Sequence, residues 1–347
     1  MFDLRCYRLK NDEGGQVTES LVEHVRSGFG TVYLFGRKPV VLSLSGGVDS
    51  MVLLDILCKL KIDLHCLHID YGNRSESHGE SKYLQSYCSA MSIPLTCYEM
   101  PIKRNDADLN RQEYESKAKE QRFIEYGKIC QTIGTDIVCL GHHDDDVIEN
   151  ILCNVLQNQS LSDLGKIHLQ SAPDDSSGLK CVRLFIGIMK SDIYRYAEEN
   201  GIFYFKDSTP KWSKRGKIRD TVLPQLEDLF SNSKDQLLRF NHVNSSNSRL
   251  LSRLLGSYTN FNSTVQDDGT MILQIPGNLY HDCPDFVKEV GFWQLIFAEA
   301  RKKFDGESIS LKSIDNFMQN IWRKKTILSK KLQIQNDDGI FSIVYSP

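Results

Sequence analysis

From Pro39 onward, short apolar runs alternate with longer stretches whose apolar positions recur at helical spacing. The run Val40-Val41-Leu42-Ser43-Leu44 predicts a buried strand, and Ser50–Leu60 the helix after it. Asp63–Ile69 reads as a second strand, leading through Tyr71-Gly72-Asn73-Arg74 to a helix at Glu76–Met91. A strand at Pro94–Glu99 and a polar loop at Lys103–Asn110 precede a helix at Gln112–Ile133. The alternation closes with a strand at Asp136–Leu140, a helix at Asp145–Leu156, a strand at Cys181–Ile186 and a helix at Lys190–Asn200. Strands separated by helices of about ten or more residues are too far apart in sequence for hairpins. The pattern therefore predicts an α/β fold with a parallel sheet, whose ligands bind beyond the carboxyl ends of the strands.

Outside that block the pattern changes. Residues 1–37 read as an extension with one helix near Thr18–Arg26. Residues 38–215 hold the α/β domain, and 216–266 a helical linker that includes the stretch Leu223–Leu255. Residues 267–347 read as a small α+β domain. It has a strand at Met271–Ile275, a helix around Phe286–Lys303, a short helix with Ile314, Phe317 and Ile321 on one face, and a hairpin turning at Asn336-Asp337-Asp338-Gly339.

Composition narrows the class. With 347 residues, 40% hydrophobic and 25% charged, the chain has material for about two ordinary globular domains. No stretch approaches the roughly 20 apolar residues of a membrane span, and Met1-Phe2-Asp3-Leu4-Arg5 opens no apolar leader, so a cytoplasmic location is expected and a membrane partner is not. The ten cysteines include no CxxC pair, and Cys58, Cys66, Cys139 and Cys153 lie in apolar runs as reduced core residues do. The net charge of −3 is unevenly divided, about −7 over residues 1–210 and +4 over 211–347. An acidic first half that takes a cation and a basic second half that touches a polyanion fit this split.

The residues that carry chemistry gather at predicted strand ends. Ser45-Gly46-Gly47-Val48-Asp49-Ser50 follows the first strand and opens a helix. Two glycines let the backbone bend and aim several N–H groups at one anion, the helix start adds a positive pole, and the serines add hydroxyl donors. The loop reads as a nucleotide-phosphate site, and Asp49 beside phosphates calls for a divalent cation between them. After the fourth strand comes Gly141-His142-His143-Asp144-Asp145-Asp146-Val147-Ile148-Glu149-Asn150, which sets Asp145, Asp146 and Glu149 on one side of a first helical turn. Capping needs one aspartate; the excess charge points to Mg²⁺ or a cationic substrate. One of His142 and His143 contacts nucleotide or carries a proton and the other is structural, with no pattern to separate them. Glu115, Lys119 and Arg122 share a helix face, which alone reads as solvated i,i+4 pairing. The segment Lys211-Trp212-Ser213-Lys214-Arg215-Gly216-Lys217-Ile218-Arg219 holds five cations and an aromatic, a composition suited to phosphate contacts and base stacking, or to a soluble linker.

The SGGVDS loop resembles that of the PP-loop ATP pyrophosphatases, and with HIDYGNR, GHHDDDVIEN and IRDTVLPQL the chain is similar to the tRNA(Ile)-lysidine synthetase family over about residues 38–230, more loosely beyond 267. Glu115-x-x-Ala118-Lys119-x-x-Arg122-Phe123 approaches that family's E-x-x-A-R-x-x-R-Y helix. The resemblance implies a Rossmann-like PP-loop domain with a tRNA-contacting carboxyl-terminal domain. It also implies a two-step ligase reaction in which ATP adenylates the C2 oxygen of an anticodon cytidine, releasing pyrophosphate, and free L-lysine then displaces AMP. On this analogy Ser45, Gly46, Gly47, Val48, Asp49, Ser50, Asp70 and His142 bind ATP, and Asp49 and Asp145 hold Mg²⁺. Asp49 is also catalytic, and the proton acceptor for the lysine ammonium is Asp145 or His143. Asp146 and Glu149 hold lysine, while Glu115, Lys119, Arg122, Arg215 and Arg219 complete the substrate contacts. A homodimer is left open. The chain departs from the family's pattern at Val147, where glutamine is usual, in Arg215-Gly216-Lys217-Ile218-Arg219 for R-N-x-I-R, and in Leu156-Gln157-Asn158-Gln159-Ser160 for an Arg-Gly-rich turn. Competing readings are a tRNA thiolase on the same loop, a small-molecule amide ligase of the NAD-synthetase kind, and an inactive RNA-binding relative.

Overall fold

The computed structural model describes residues 16–32, 39–73, 76–103, 110–156, 164–172, 178–206, 213–254, 260–278, 281, 284–300, 303–304 and 309–346. They fall into two compact units, one from residues 1–147 with 167–213 and one from residues 148–166 with 214–347.

In the first unit, helix α1 (Gln16–Val32) precedes β1 (Val40–Ser43), α2 (Val48–Lys59), β2 (Leu64–Asp70), α3 (Ser77–Ala90), β3 (Leu95–Glu99), α4 (Arg111–Ile133) and β4 (Ile137–Cys139). Then follow the start of α5 (Asp144–Leu156), β5 (Gln170–Ser171), β6 (Lys180–Val182) and α6 (Lys190–Glu199). The strands form one sheet in the order β3-β2-β1-β4-β6-β5, parallel except for the antiparallel edge strand β5. The alternation of strands and helices thus yields the expected parallel sheet, because each helix returns the chain to the same end of the sheet before the next strand. The two-residue β5 has no apolar pattern to announce it. The strand expected to reach Ile186 ends at Val182, after which Phe185 makes a single parallel bridge to His143.

Alternate strand residues serve two layers. Val40, Leu42, Cys66, Cys139 and Val182 pack with Leu21 of α1, Met51 and Leu54 of α2 and Tyr196 of α6. Val41, Leu67, Val138 and Cys181 pack with Tyr126, Ile129 and Cys130 of α4. α4 begins with a capping box, Asn110 Oδ1 accepting from Glu113 N and Glu113 Oε2 accepting from Asn110 N, and ends on a left-handed Gly134. The chain turns toward β2 after β1 and toward β6 after β4, so β1 and β4 flank the point where the winding reverses. That is where open α/β sheets leave a crevice.

The second unit contains the rest of α5, a short helix α7 (Lys214–Lys217), a π-helical turn at Ile218–Val222, α8 (Leu223–Leu229) and α9 (Ser233–Leu254). The helical stretch from Leu223 is therefore interrupted at Phe230, whose extended backbone closes α8. A five-stranded antiparallel sheet follows, in the order β7-β8-β11-β10-β9, from β7 (Asn262–Val265), β8 (Met271–Gln274), β9 (Lys325–Ile327), β10 (Leu332–Asp337) and β11 (Ile340–Tyr345). Helices α10 (Val290–Ala300) and α11 (Leu311–Gln319) close its core around Trp293, Phe317 and Phe341. β7 starts ahead of residue 267 and is exposed along its whole length, so apolar periodicity does not betray it. The hairpin falls where expected: Asp337 pairs with Ile340, and Asp338 and Gly339 both take positive φ, as a two-residue primed turn requires.

Candidate active site at the β1 and β4 strand ends

The glycine loop bends as its sequence demands. Gly46 has φ +82, and a Cβ there would lie 2.4 Å from the Phe205 ring, so both conformation and space exclude a side chain. Phe205 N in turn donates to Gly46 O at 2.8 Å, fixing the loop from behind. Ser50 Oγ accepts from Gly46 N at 3.1 Å and contacts Ser45 Oγ at 3.0 Å, which closes the loop on itself. Gly47 caps α2 without a side-chain bond, so the N–H groups of the first turn at Val48, Asp49 and Ser50 keep their donors for an anion. Gly141, after β4, approaches so near that a Cβ there would come within 3.2 Å of Asp49 backbone carbon. The two strand ends thus meet at Asp49.

Asp49 stands beside an ammonium and an imidazole. Lys190 Nζ, at the first position of α6, is 3.3 Å from its Oδ2, and His143 Nε2 is 3.5 Å from its Oδ1. Asp49 Oδ1 is buried and accepts no hydrogen bond. His143, 3% exposed, also lies 3.5 Å from Asp146 Oδ2 and 3.7 Å from Asp145 Oδ2, so one imidazole faces three carboxylates.

The acidic run is largely consumed by the protein itself. Asp144 Oδ1 accepts from Gly187 N at 2.8 Å, Asp145 Oδ2 from Lys190 N at 2.7 Å, and Asp146 Oδ2 from His143 N at 3.1 Å. The first two bonds tie the start of α5 to the loop before α6; the third is the backward half of a capping box. Three consecutive aspartates are therefore accounted for by three backbone donors, a pairing that separations along the sequence do not display. Among the described residues no group of three or more His, Cys, Asp or Glu side chains is disposed to hold a metal ion. Asp70 accepts from Gly72 N at 2.8 Å and from Ser81 Oγ at 3.3 Å, shaping the turn after β2. His142 sits half-buried in the β4–α5 connection.

In the second unit, Glu149 is buried and bound by Arg219, whose Nε donates to Oε1 at 2.7 Å and Nη2 to Oε2 at 3.4 Å. Arg215 hydrogen-bonds Asn150 one residue further along α5. The structure thus brings Arg215 and Arg219 onto α5 rather than leaving them on a separate basic strip. Lys211 and Trp212 of that strip lie outside the described residues. On α4, Glu115 and Lys119 are exposed, whereas Arg122 is half-buried.

Lys190 was not among the residues singled out from the sequence. A signal existed: a lysine at a helix start opposes the helix dipole, which asks for a compensating anion. Asp49 supplies it.

A family described as PP-loop domain matches residues 17–226, more than half of the chain. In sequence the chain is 28% identical over 208 residues to a protein of Chlamydia felis (strain Fe/C-56) named tRNA(Ile)-lysidine synthase, covering 58% of this chain and 62% of that one. It is 24% identical over 318 residues to a protein of the same name from Staphylococcus aureus (strain MRSA252), covering 88% and 69%. The chain therefore spans less than two thirds of the length of the chlamydial relatives, 62% in each of two. Among solved structures, the U34-tRNA thiolase NcsA from Methanococcus maripaludis superposes with a TM-score of 0.53 at 21% identity, over 68% of this chain and 79% of that one, a likeness of fold.

Proposed function

The chain belongs to the PP-loop domain family, and from that premise we propose that it is an ATP-dependent tRNA-modifying ligase of the lysidine-forming kind. In this reading the C2 oxygen of an anticodon cytidine attacks the α-phosphorus of ATP and pyrophosphate leaves. The ε-amine of free lysine then attacks C2 and AMP leaves. The name shared by the relatives from Chlamydia felis and Staphylococcus aureus supports it. The observation that carries it is the glycine loop: a left-handed Gly46, uncapped first-turn N–H groups and Asp49 with an unsatisfied buried oxygen.

Each residue has a part. The loop N–H groups and the Ser45 hydroxyl bind the phosphates, and Lys190 offers a cation to the charge that grows on the departing group. Asp49 Oδ1 suits Mg²⁺, which commonly takes one or two carboxylates and fills its remaining positions with phosphate oxygens and water, so a three-ligand protein cage is not needed. When bound, the ion would supply charge neutralisation between Asp49 and the phosphates. Asp145 is a weaker candidate ligand because its Oδ2 already accepts from Lys190 N. For the same reason we assign acceptance of the amine proton to His143. Glu149 would take the lysine ammonium by exchange with the Arg219 guanidinium it now holds. Cytoplasmic location, tRNA as partner and the domain division drawn from the sequence belong to the same proposal. No helix among the described residues is long and apolar enough to cross a membrane. Cys130 and Cys139, their thiols pushed up to about 12 chiefly by burial, lend the thiolase alternative no support.

Incubating the full chain with ATP, tRNA and radiolabelled lysine tests the whole. Pyrophosphate release that depends on tRNA, with label recovered in a modified cytidine, is expected. Pyrophosphate without incorporated lysine would retain the activation step and overturn the amine; no pyrophosphate under any condition would remove the reading.

A further inference from the structure

The glycine loop leaves β1 at Leu44, beside a buried histidine on the neighbouring strand. The ladder between β1 and β2 ends at the Ser43–Leu67 pair, with Leu44 N donating to Leu67 O at 2.8 Å. Leu44 is fully buried, so its carbonyl needs a donor inside the protein. His68 of β2 supplies it, with Nδ1 2.8 Å from Leu44 O. A carbonyl only accepts, so Nδ1 carries the hydrogen. The opposite ring nitrogen, Nε2, lies 3.0 Å from Ser81 Oγ on α3. That hydroxyl also reaches Ser77 O at 3.0 Å and Asp70 Oδ2 at 3.3 Å. These partners compete for one hydroxyl hydrogen, whereas the Nδ1 bond stands whichever of them takes it. The imidazole is 5% exposed, and Ser81 is buried with it. Helix α3 backs the loop a second time through Leu84, 3.4 Å from where a Cβ on Gly46 would lie.

A core histidine that merely satisfies its own nitrogens accounts for two bonds but not for where they fall. A further backbone rung from β2 would carry Leu44 on as strand and hold the chain in the plane of the sheet. A side-chain donor satisfies the same carbonyl and frees the backbone to turn, just ahead of Ser45 and the left-handed Gly46. The Leu44 carbonyl and Ser45 N share one rigid peptide plane, so a bond that orients the first orients the second. The ring thereby sets the direction in which the loop departs. Ser81, on the far side of the imidazole, holds it in the orientation that aims Nδ1 at Leu44. An apolar residue in its place would fill the space and leave a buried carbonyl unpaired.

We propose that His68 is a positioning residue of the glycine loop, its Nδ1–H setting the Leu44–Ser45 peptide so that the loop's donors are arranged for a triphosphate before one arrives. The assignment rests on the reading of that loop as an ATP site, and not on the lysine or tRNA steps. Two substitutions separate the ring nitrogens: His68→Asn places an amide N–H near the position of Nδ1, and His68→Gln reaches that of Nε2. Calorimetric titration of the full chain with a nonhydrolysable ATP analogue and Mg²⁺ is the test. His68→Asn should bind within about threefold of the parent and His68→Gln about tenfold or more weakly, since only the first keeps the loop preorganised. Equal affinity in His68→Gln and the parent, whatever their melting temperatures, would leave the residue a core partner and overturn the proposal. Equal losses in both variants would overturn it too. A parent chain that binds no ATP analogue would instead remove the ATP reading of the loop, and this assignment with it. Should His68→Gln not fold, the parent still decides. Its histidine ring NMR spectrum should hold a slowly exchanging Nδ1–H, missing from His68→Asn, that shifts when the analogue binds; a His68 ring protonated at Nε2 alone, or unmoved by the analogue, would sink the proposal.

Discussion

The loop after β1 and the helix start after β4 are both polar, both at the reversal point of the sheet, and in opposite states. At Ser45–Ser50 the backbone is shaped around donors that the protein does not use, and Asp49 keeps a buried oxygen without a hydrogen bond. At Asp144–Asp146 each carboxylate already accepts a backbone N–H, and Glu149 holds Arg219. Density of charge in a motif is thus a poor guide to where a ligand is met; unspent valence is the better one. The acidic turn positions the loop's neighbours, since Asp145 fixes Lys190 N and the Lys190 ammonium reaches Asp49.

The largest effect should come from the unspent side. Asp49→Asn is expected to lower pyrophosphate release by about 1000-fold, or about 4 kcal/mol of transition-state stabilisation, with folding little changed. Turnover within a few-fold of the parent would erase the distinction between the two segments. Next is the spent side: Glu149→Ala strands a half-buried guanidinium and should cost about 3 kcal/mol of stability in denaturant unfolding, most of it recovered by adding Arg219→Met. Raised KM for lysine alongside that loss is expected from the exchange of ammonium for guanidinium. A stability loss with unchanged KM would leave Glu149 a purely internal partner.

Smaller still is Asp145→Ala, which removes a cap-like acceptor for Lys190 N and should cost about 1 kcal/mol of stability. A nucleotide-binding defect should follow through the displaced lysine, and if stability falls while ATP affinity stays at the parent value, Lys190 is not positioned by Asp145. The smallest is a pH effect. Burial lowers His24, partly opposed by its contact with Ile186 O, and burial lowers His65. Both are held neutral in the fold, so the unfolded chain binds more protons just below the ordinary value of 6.5, and stability rises with pH there. The contribution is complete above pH 6.5 and is lost as pH falls toward the depressed values. His24→Gln should reduce the difference in melting temperature between pH 5 and pH 7.5; an unchanged difference would assign acid sensitivity elsewhere.

Much of this protein is settled by local order along the chain. Apolar runs spaced by helical stripes suffice for a parallel sheet, because a strand's register of buried faces and a helix's stripe leave few other ways to bury both. The glycine loop is legible for the same reason: Gly46 is needed for backbone conformation, a property of the residue itself. Three-dimensional folding decided the rest. Which donor each aspartate accepts, that Lys190 reaches Asp49 from 141 residues away, and that Glu149 faces Arg219 rather than open solvent are contacts between segments far apart in sequence. The sequence states which charges exist. Only the packed strand ends determine which of them remain uncancelled, since cancellation depends on distances of a few ångströms that no spacing along the chain encodes.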